Sequence, residues 1–122
     1  MKTILVVDDS STIRSAIRRI LEPMGYAVAE AANGAEALEY CRERGDLDAI
    51  LLDVDMPVLD GLGFLTQLRR STGLPQPPVV MCTTHNTLPA IQRALSAGAN
   101  EYIMKPFDAE IIGHKLAEIG VQ

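Results

Sequence analysis

Short apolar runs that stop abruptly on acidic or hydroxyl residues recur along this chain, separated by longer stretches with apolar residues at helical spacing. The first run, Lys2 to Val7, is β-branched and ends on Asp8-Asp9. Ser10, Ser11 and Thr12 follow as candidate N-caps. They predict a helix from about Ser11 to Met24, with Ile13, Ile17, Ile20 and Leu21 on one face and Arg14, Arg18 and Arg19 mostly toward water. Pro23 and Gly25 end it. Tyr26 to Ala31 predicts a second strand, Asn33-Gly34 a turn, and Ala35 to Arg44 a helix that carries Ala37, Leu38 and Cys41 inward. Ala49 to Leu52 reads as a strand buried on both faces. It must end at or just past Asp53, because Pro57 forbids a continuing ladder and Asp60-Gly61 is turn chemistry.

The second half repeats the scheme. Gly61 to Arg70 predicts a helix with Leu62, Leu65 and Leu68 inward, Gly73 to Pro78 a rigid exposed loop, and Val79 to Thr83 a fourth strand. Thr87 to Ala97 predicts a helix whose Leu88, Ile91 and Leu95 read as core rather than interface, with Gly98 as its C-cap. Glu101 to Met104 gives a fifth strand, Lys105-Pro106 a sharp turn, and Asp108 to Ile119 a last helix capped by Asp108. Five strands alternating with five helices predict an α/β domain with a doubly wound parallel sheet. Its expected strand order is the flavodoxin-like 2-1-3-4-5.

Composition narrows the picture. At 122 residues the chain suffices for one domain and one core, without metal or disulfide staples. A hydrophobic content of 48% with only two Phe, three Tyr and no Trp implies an aliphatic core, as buried parallel strands require. The net charge of -5 argues against nucleic acid as a partner, since phosphate binding needs a basic face. It permits a cation site instead. Cys41 and Cys82 lie far apart in apolar contexts and read as reduced thiols, which with the lack of a signal-peptide core or membrane-length run predicts a cytosolic protein.

In the predicted order Asp8, Asp9 and Asp53 converge at the carboxyl-terminal edge of the sheet, where such folds bind ligands. Strands four and five deliver Thr83 and Lys105 to the same rim. Crowded carboxylates repel unless a cation or proton relieves them, and hard oxygen donors without His or thiolate favour Mg²⁺ or Mn²⁺. Nucleophile, metal and charge clamp together are what phosphoryl transfer to a carboxylate requires.

These residues carry a resemblance. Val6-Val7-Asp8-Asp9-Ser10, Leu51 to Pro57 with Asp60-Gly61, Cys82-Thr83-Thr84, Ala97-Gly98-Ala99 and Tyr102 to Phe107 resemble the receiver domain of two-component response regulators, particularly the single-domain chemotaxis type. The resemblance spans nearly the whole chain. It implies that Asp53 accepts a phosphoryl group from a histidine kinase's phosphohistidine, and that Asp9, Asp53 and the Asp55 backbone carbonyl bind Mg²⁺, with Asp8 acting through metal-bound water. Thr83 and Lys105 would grip the phosphoryl oxygens, the Lys105-Pro106 peptide would be cis, and Tyr102 would be the coupled switch. A phosphorylation-dependent partner would bind the face of helix four, strand five and helix five, where Met104 and Lys115 are candidates. Two positions depart from the commonest pattern: Asp55 adds a fourth carboxylate, and His85 replaces a small or acidic residue.

The resemblance further implies a monomeric switch rather than an enzyme, a single receiver domain over residues 1–122 with no output domain and no membrane insertion. Motor switch, feedback on a kinase, phosphate sink and relay shuttle all fit it, with chemotaxis or a relay preferred. The rival reading is a haloacid-dehalogenase-like phosphatase using Asp53 and Asp55 as nucleophile and general acid. Against it stand the mid-chain position of the motif, Pro57, and the lack of a cap or a later acidic pair.

Overall fold

The structure, a computed structural model, describes residues 1–121. Strands β1 (Thr3–Val7), β2 (Ala27–Ala31), β3 (Ala49–Asp53), β4 (Val79–Thr83) and β5 (Glu101–Met104) pair in parallel in the order β2-β1-β3-β4-β5. Helices α1 (Ser11–Leu21), α2 (Gly34–Glu43), α3 (Gly61–Arg70), α4 (Leu88–Ala97) and α5 (Ala109–Glu118) connect them. The expected doubly wound architecture is therefore the observed one.

Strict alternation sends every second strand residue to one face, and here both faces are covered, so both sets must be apolar. Ile4, Val6, Leu51, Val80 and Ile103 pack with Ile17 and Leu21 of α1 and with Ile112 and Leu116 of α5. Leu5, Val7, Ile50, Leu52 and Met81 pack on the other side, with Leu38 of α2, Phe64, Leu65 and Leu68 of α3, and Ala94 of α4. That two-sided burial explains the unbroken apolar runs. No helix among the described residues is long and apolar enough to cross a membrane.

The helix boundaries follow local chemistry. Ser10, Asn33, Asp60, Thr87 and Asp108 each stand before a helix and accept a hydrogen bond from the backbone N–H three residues on. The first helix ends at Leu21, three residues before Met24: Pro23 cannot continue the α-helical ladder, and Glu22–Met24 tightens into a 3-10 turn closed by left-handed Gly25. β2 begins at Ala27 rather than Tyr26.

One expectation about the core is overturned. Leu88 and Leu95 are 65% and 47% exposed, Ile91 is half-buried, and α4 seats only Ala94 fully. Each residue turns a helix by about 100°. The face toward the sheet is centred on Ala94 and Ala97, so Leu95 is rotated about 100° away from Ala94 and Leu88 lies further still. The helical period was readable; which part of a wide apolar stripe meets the sheet was not.

Candidate functional site

β1 and β3 are neighbours, with Val7 opposite Leu52, so the residues that follow them meet at one rim. Asp8, Asp9 and Asp53 each offer a carboxylate oxygen, and these atoms lie within 4.8 Å of one another. Asp8 is buried. Its Oδ1 accepts from the Ser10 N–H at 3.0 Å and its Oδ2 from Lys105 Nζ at 2.8 Å. Lys105 Nζ also reaches Asp53 Oδ1 at 3.4 Å. One ammonium thus holds two carboxylates from different strands.

The electrostatics follow from this crowding. Burial raises the Asp53 carboxyl above its ordinary value and the Asp8 charge adds to the rise; Lys105 works the other way without cancelling it. Burial alone would lower the Lys105 ammonium, yet its contacts with Asp8 and Asp53 outweigh burial and the net shift is upward. A site that holds its carboxyl above the usual range favours a cation. Three hard carboxylate oxygens suit Mg²⁺ far better than a thiophilic metal, and the thiol nearest the rim, Cys82, is buried and pushed up to about 12.

The turn after β3 is fixed by Gly61. Its N–H donates to the Val54 carbonyl at 2.9 Å, and a Cβ there would sit 2.1 Å from the Asp53 carbonyl oxygen. No residue with a side chain fits such an approach without moving the loop that carries Asp53.

The other side of the rim belongs to β4 and β5. Thr83 is buried, its Oγ1 accepts from the His85 N–H at 3.1 Å, and its carbonyl accepts from the Lys105 N–H at 2.8 Å. The Lys105–Pro106 peptide is cis. Tyr102 is half-buried and its hydroxyl donates to the His85 carbonyl. Burial raises the Tyr102 phenol, while the neighbouring Thr83 side chain opposes the rise.

Asp55 stands apart from the carboxylate cluster, which corrects the picture of four acidic side chains around one ion. Its Oδ2 lies 2.6 Å from His85 Nε2, and its side chain is 71% exposed. The physical reason is its place in the irregular segment after β3, from which the side chain reaches the β4–α4 loop. His85 thus ties the two loops together.

Two arginines escaped the reading of the sequence. Arg14, placed toward water by helical spacing, is mostly covered; its Nη1 donates to the Asp8 carbonyl at 2.6 Å and its Nε to Glu30 at 2.8 Å. The signal was Glu30, an acid near the end of β2 facing the first turn of α1. Arg69 donates to the carbonyls of Gly98 and Pro77 and to the side-chain oxygens of Gln76 and Asn100. Gly98, left-handed at φ +113°, lies so close that a Cβ would come 2.6 Å from Arg69 Cγ.

Fold and rim together define a doubly wound sheet with an acidic ligand edge, a class in which the loops after β1 and β3 carry the chemistry. Residues 4–117 match the response regulator receiver domain, and the chain belongs to that family. It is 38% identical over 114 residues to chemotaxis protein CheY1 of Helicobacter pylori, covering 93% of this chain and 92% of that protein. A 37% identity over 110 residues links it to the sensor histidine kinase CheAY of the same organism, of which it spans only 14%. The structure of the chemotaxis response regulator CheY4 of Vibrio cholerae superposes with a TM-score of 0.89 at 34% identity, covering 98% of both chains. The phosphatase alternative finds no support in these relationships, and Asp55, the general acid it requires, contacts His85 and is not part of the cluster around Asp53.

Proposed function

We propose that Asp53 accepts a phosphoryl group from a phosphohistidine of a histidine kinase, and that the domain signals through the resulting change. The observation that carries the reading is the Asp8, Asp9 and Asp53 cluster bridged by Lys105. In the transfer an Asp53 carboxylate oxygen attacks phosphorus as the bond from phosphorus to the donor imidazole nitrogen breaks, and the imidazole keeps the electron pair. Asp9, Asp53 and the Asp55 backbone carbonyl would hold Mg²⁺, with Asp8 one water further out; Mn²⁺ suits the same donors. Bound there, the ion neutralises charge that builds on the phosphoryl oxygens.

The chain's own groups do the rest. Lys105 is held at the rim by Asp8 and Asp53 and is placed to pair with a phosphoryl oxygen on Asp53. The Thr83 hydroxyl supplies a second donor. A phosphoryl group adds roughly -1.5 to -2 charge. If it draws Thr83 toward Asp53, the hydroxyl moves relative to Tyr102, and the Tyr102 contact with the His85 carbonyl is the element free to rearrange. That readout falls on α4, β5 and α5, where exposed Leu88, Leu95 and Ile111 offer apolar surface to a protein partner.

Incubation with acetyl phosphate and Mg²⁺, followed by peptide mapping, tests the acceptor. Labelling is expected to saturate at one phosphoryl per chain on Asp53 and to vanish in Asp53→Asn. Undiminished labelling of that variant would refute the assignment, and sustained turnover of a small phosphate ester would revive the phosphatase.

A further inference from the structure

α3 and α4 leave between them an open groove of about 750 Å³. Arg69, Arg70 and Arg93 line it together with apolar Leu62, Pro89 and Ala97, and no acidic residue does. The three arginines form no ion pair among the described residues, which is also true of Lys2, Arg19, Arg42 and Arg44, but these three share one groove. In a chain of net charge -5 this is a local concentration of unneutralised positive charge.

We infer that this groove docks an acidic peptide segment of a partner protein, with its carboxylates on Arg70 and Arg93 and its apolar side chains on Leu62, Pro89 and Ala97. The disposition of the charges selects the occupant. Arg69 has its donors committed to four neutral oxygens, so it contributes field and leaves Arg70 and Arg93 to bond. Arg70 stands on α3 and Arg93 on α4, so the two uncommitted guanidiniums are presented from different helices to a ligand that lies along the groove between them. Charges strung along a groove with an apolar lining match a chain that alternates acidic and apolar residues. A nucleic acid would need a longer basic strip than three arginines on an acidic protein.

The groove also communicates with the phosphoryl-acceptor rim. Leu62 and Arg93 line a second cavity of about 220 Å³ that is bounded by Asp55, His85 and Tyr102. A peptide seated on Arg93 therefore lies one cavity away from the loops that change in the switch. This surface lies on the α3 side of α4, apart from the α4–β5–α5 face, and its assignment stands without any role for Asp53.

The test uses the isotope-labelled full chain titrated with a short peptide of Glu, Leu and Ala, and with the same peptide carrying Gln for Glu. Amide shifts are expected at Thr66, Arg70, Arg93 and Ser96 with the acidic peptide only. Affinity should fall at least ~10-fold in Arg70→Glu/Arg93→Glu, which is about 1.4 kcal/mol. The milder Arg93→Gln should give a smaller loss in the same direction, and acetyl phosphate labelling of Asp53 should be unchanged in both. Shifts elsewhere, equal binding of the Gln peptide, or unchanged affinity in both variants would overturn the inference. So would the same shifts from inorganic phosphate at equal concentration, or tighter binding of a single-stranded oligonucleotide at these residues.

Discussion

α3 and α4 are helices of equal length, packed side by side and each capped by a side-chain oxygen, yet they are anchored very differently. α3 buries Gly61, Phe64, Leu65 and Leu68; α4 buries Ala94 alone. The rim divides along the same line. On the β1–β3 side, buried Asp8 and half-buried Asp53 are tied by ion pairs to Lys105, which reaches across from the end of β5, and the loop is fixed by the close approach of Gly61. On the β4–β5 side, Thr83, His85 and Tyr102 are joined by single hydrogen bonds under a lightly seated helix. Regions with few buried apolar contacts open at low free-energy cost. On the proposed function, the phosphoryl chemistry would fall on the more firmly held side of the rim and the readout on the lightly seated one.

The sharpest way to break that contrast is to remove a leucine from each helix. Leu68→Ala should lower the unfolding free energy by about 2–5 kcal/mol, since Leu68 is fully buried and truncation leaves a cavity. Leu95→Ala should cost less than about 1 kcal/mol, because nearly half of that side chain is already in water. Urea unfolding of the two variants measures both. Similar losses would mean that α4 is as firmly seated as α3.

Lys105→Ala probes the rigid side of the rim directly. It leaves buried Asp8 facing Asp53 without the shared ammonium, and the expected loss is about 1–3 kcal/mol, the penalty for a buried partner left unpaired. Added Mg²⁺ should recover part of it, whereas Mg²⁺-independent unfolding of both proteins would argue against a cation at the cluster. The variant should still be labelled by acetyl phosphate but should lose binding to any partner selective for the activated form.

How much of this could be read before any coordinates? The strands, their order and the acidic rim were legible because two-sided burial forces unbroken apolar runs, and each run ends where a polar group must begin. Asp8, Asp53, Thr83 and Lys105 fall at strand ends, where position alone gives direction. Side chains in loops and on helices carry no such constraint. Hence the swing of Asp55 to His85, the covering of Arg14 and the binding of Arg69 to four oxygens stayed hidden, and the outward turn of Leu88 and Leu95 defeated the helical period.

The raised carboxyl of Asp53 gives the contrast a pH dependence. Its unfolded value is that of an ordinary aspartate, about 3.9, and its folded value is higher, chiefly through burial. Between the two the folded state binds the proton more tightly, so stability falls as pH rises through that window and stays lowered at neutrality. Asp53→Asn removes the charge that burial penalises. In Mg²⁺-free buffer at neutral pH it should raise Tm by a few degrees, and the gain should disappear under acid conditions where Asp53 is protonated in both states. A Tm unchanged or lowered at neutral pH would show that the Lys105 contact outweighs burial.

The smallest expected effect lies on the yielding side. The Asp55–His85 pair is solvent-exposed on both members, and such pairs contribute at most about 1 kcal/mol. His85→Ala should therefore hardly move the unfolding midpoint. Its consequence should be kinetic: the pair joins the loop after Asp53 to the loop after Thr83, and its loss is expected to admit water to a phosphoryl group on Asp53. The phosphorylated variant is expected to decay severalfold faster than the parent protein, with Asp55→Asn behaving alike because either change breaks the same tie. Decay followed after removal of acetyl phosphate distinguishes the outcomes. If His85→Ala shortens the lifetime and Asp55→Asn does not, the histidine acts alone and the two loops are not joined in the way their 2.6 Å contact implies.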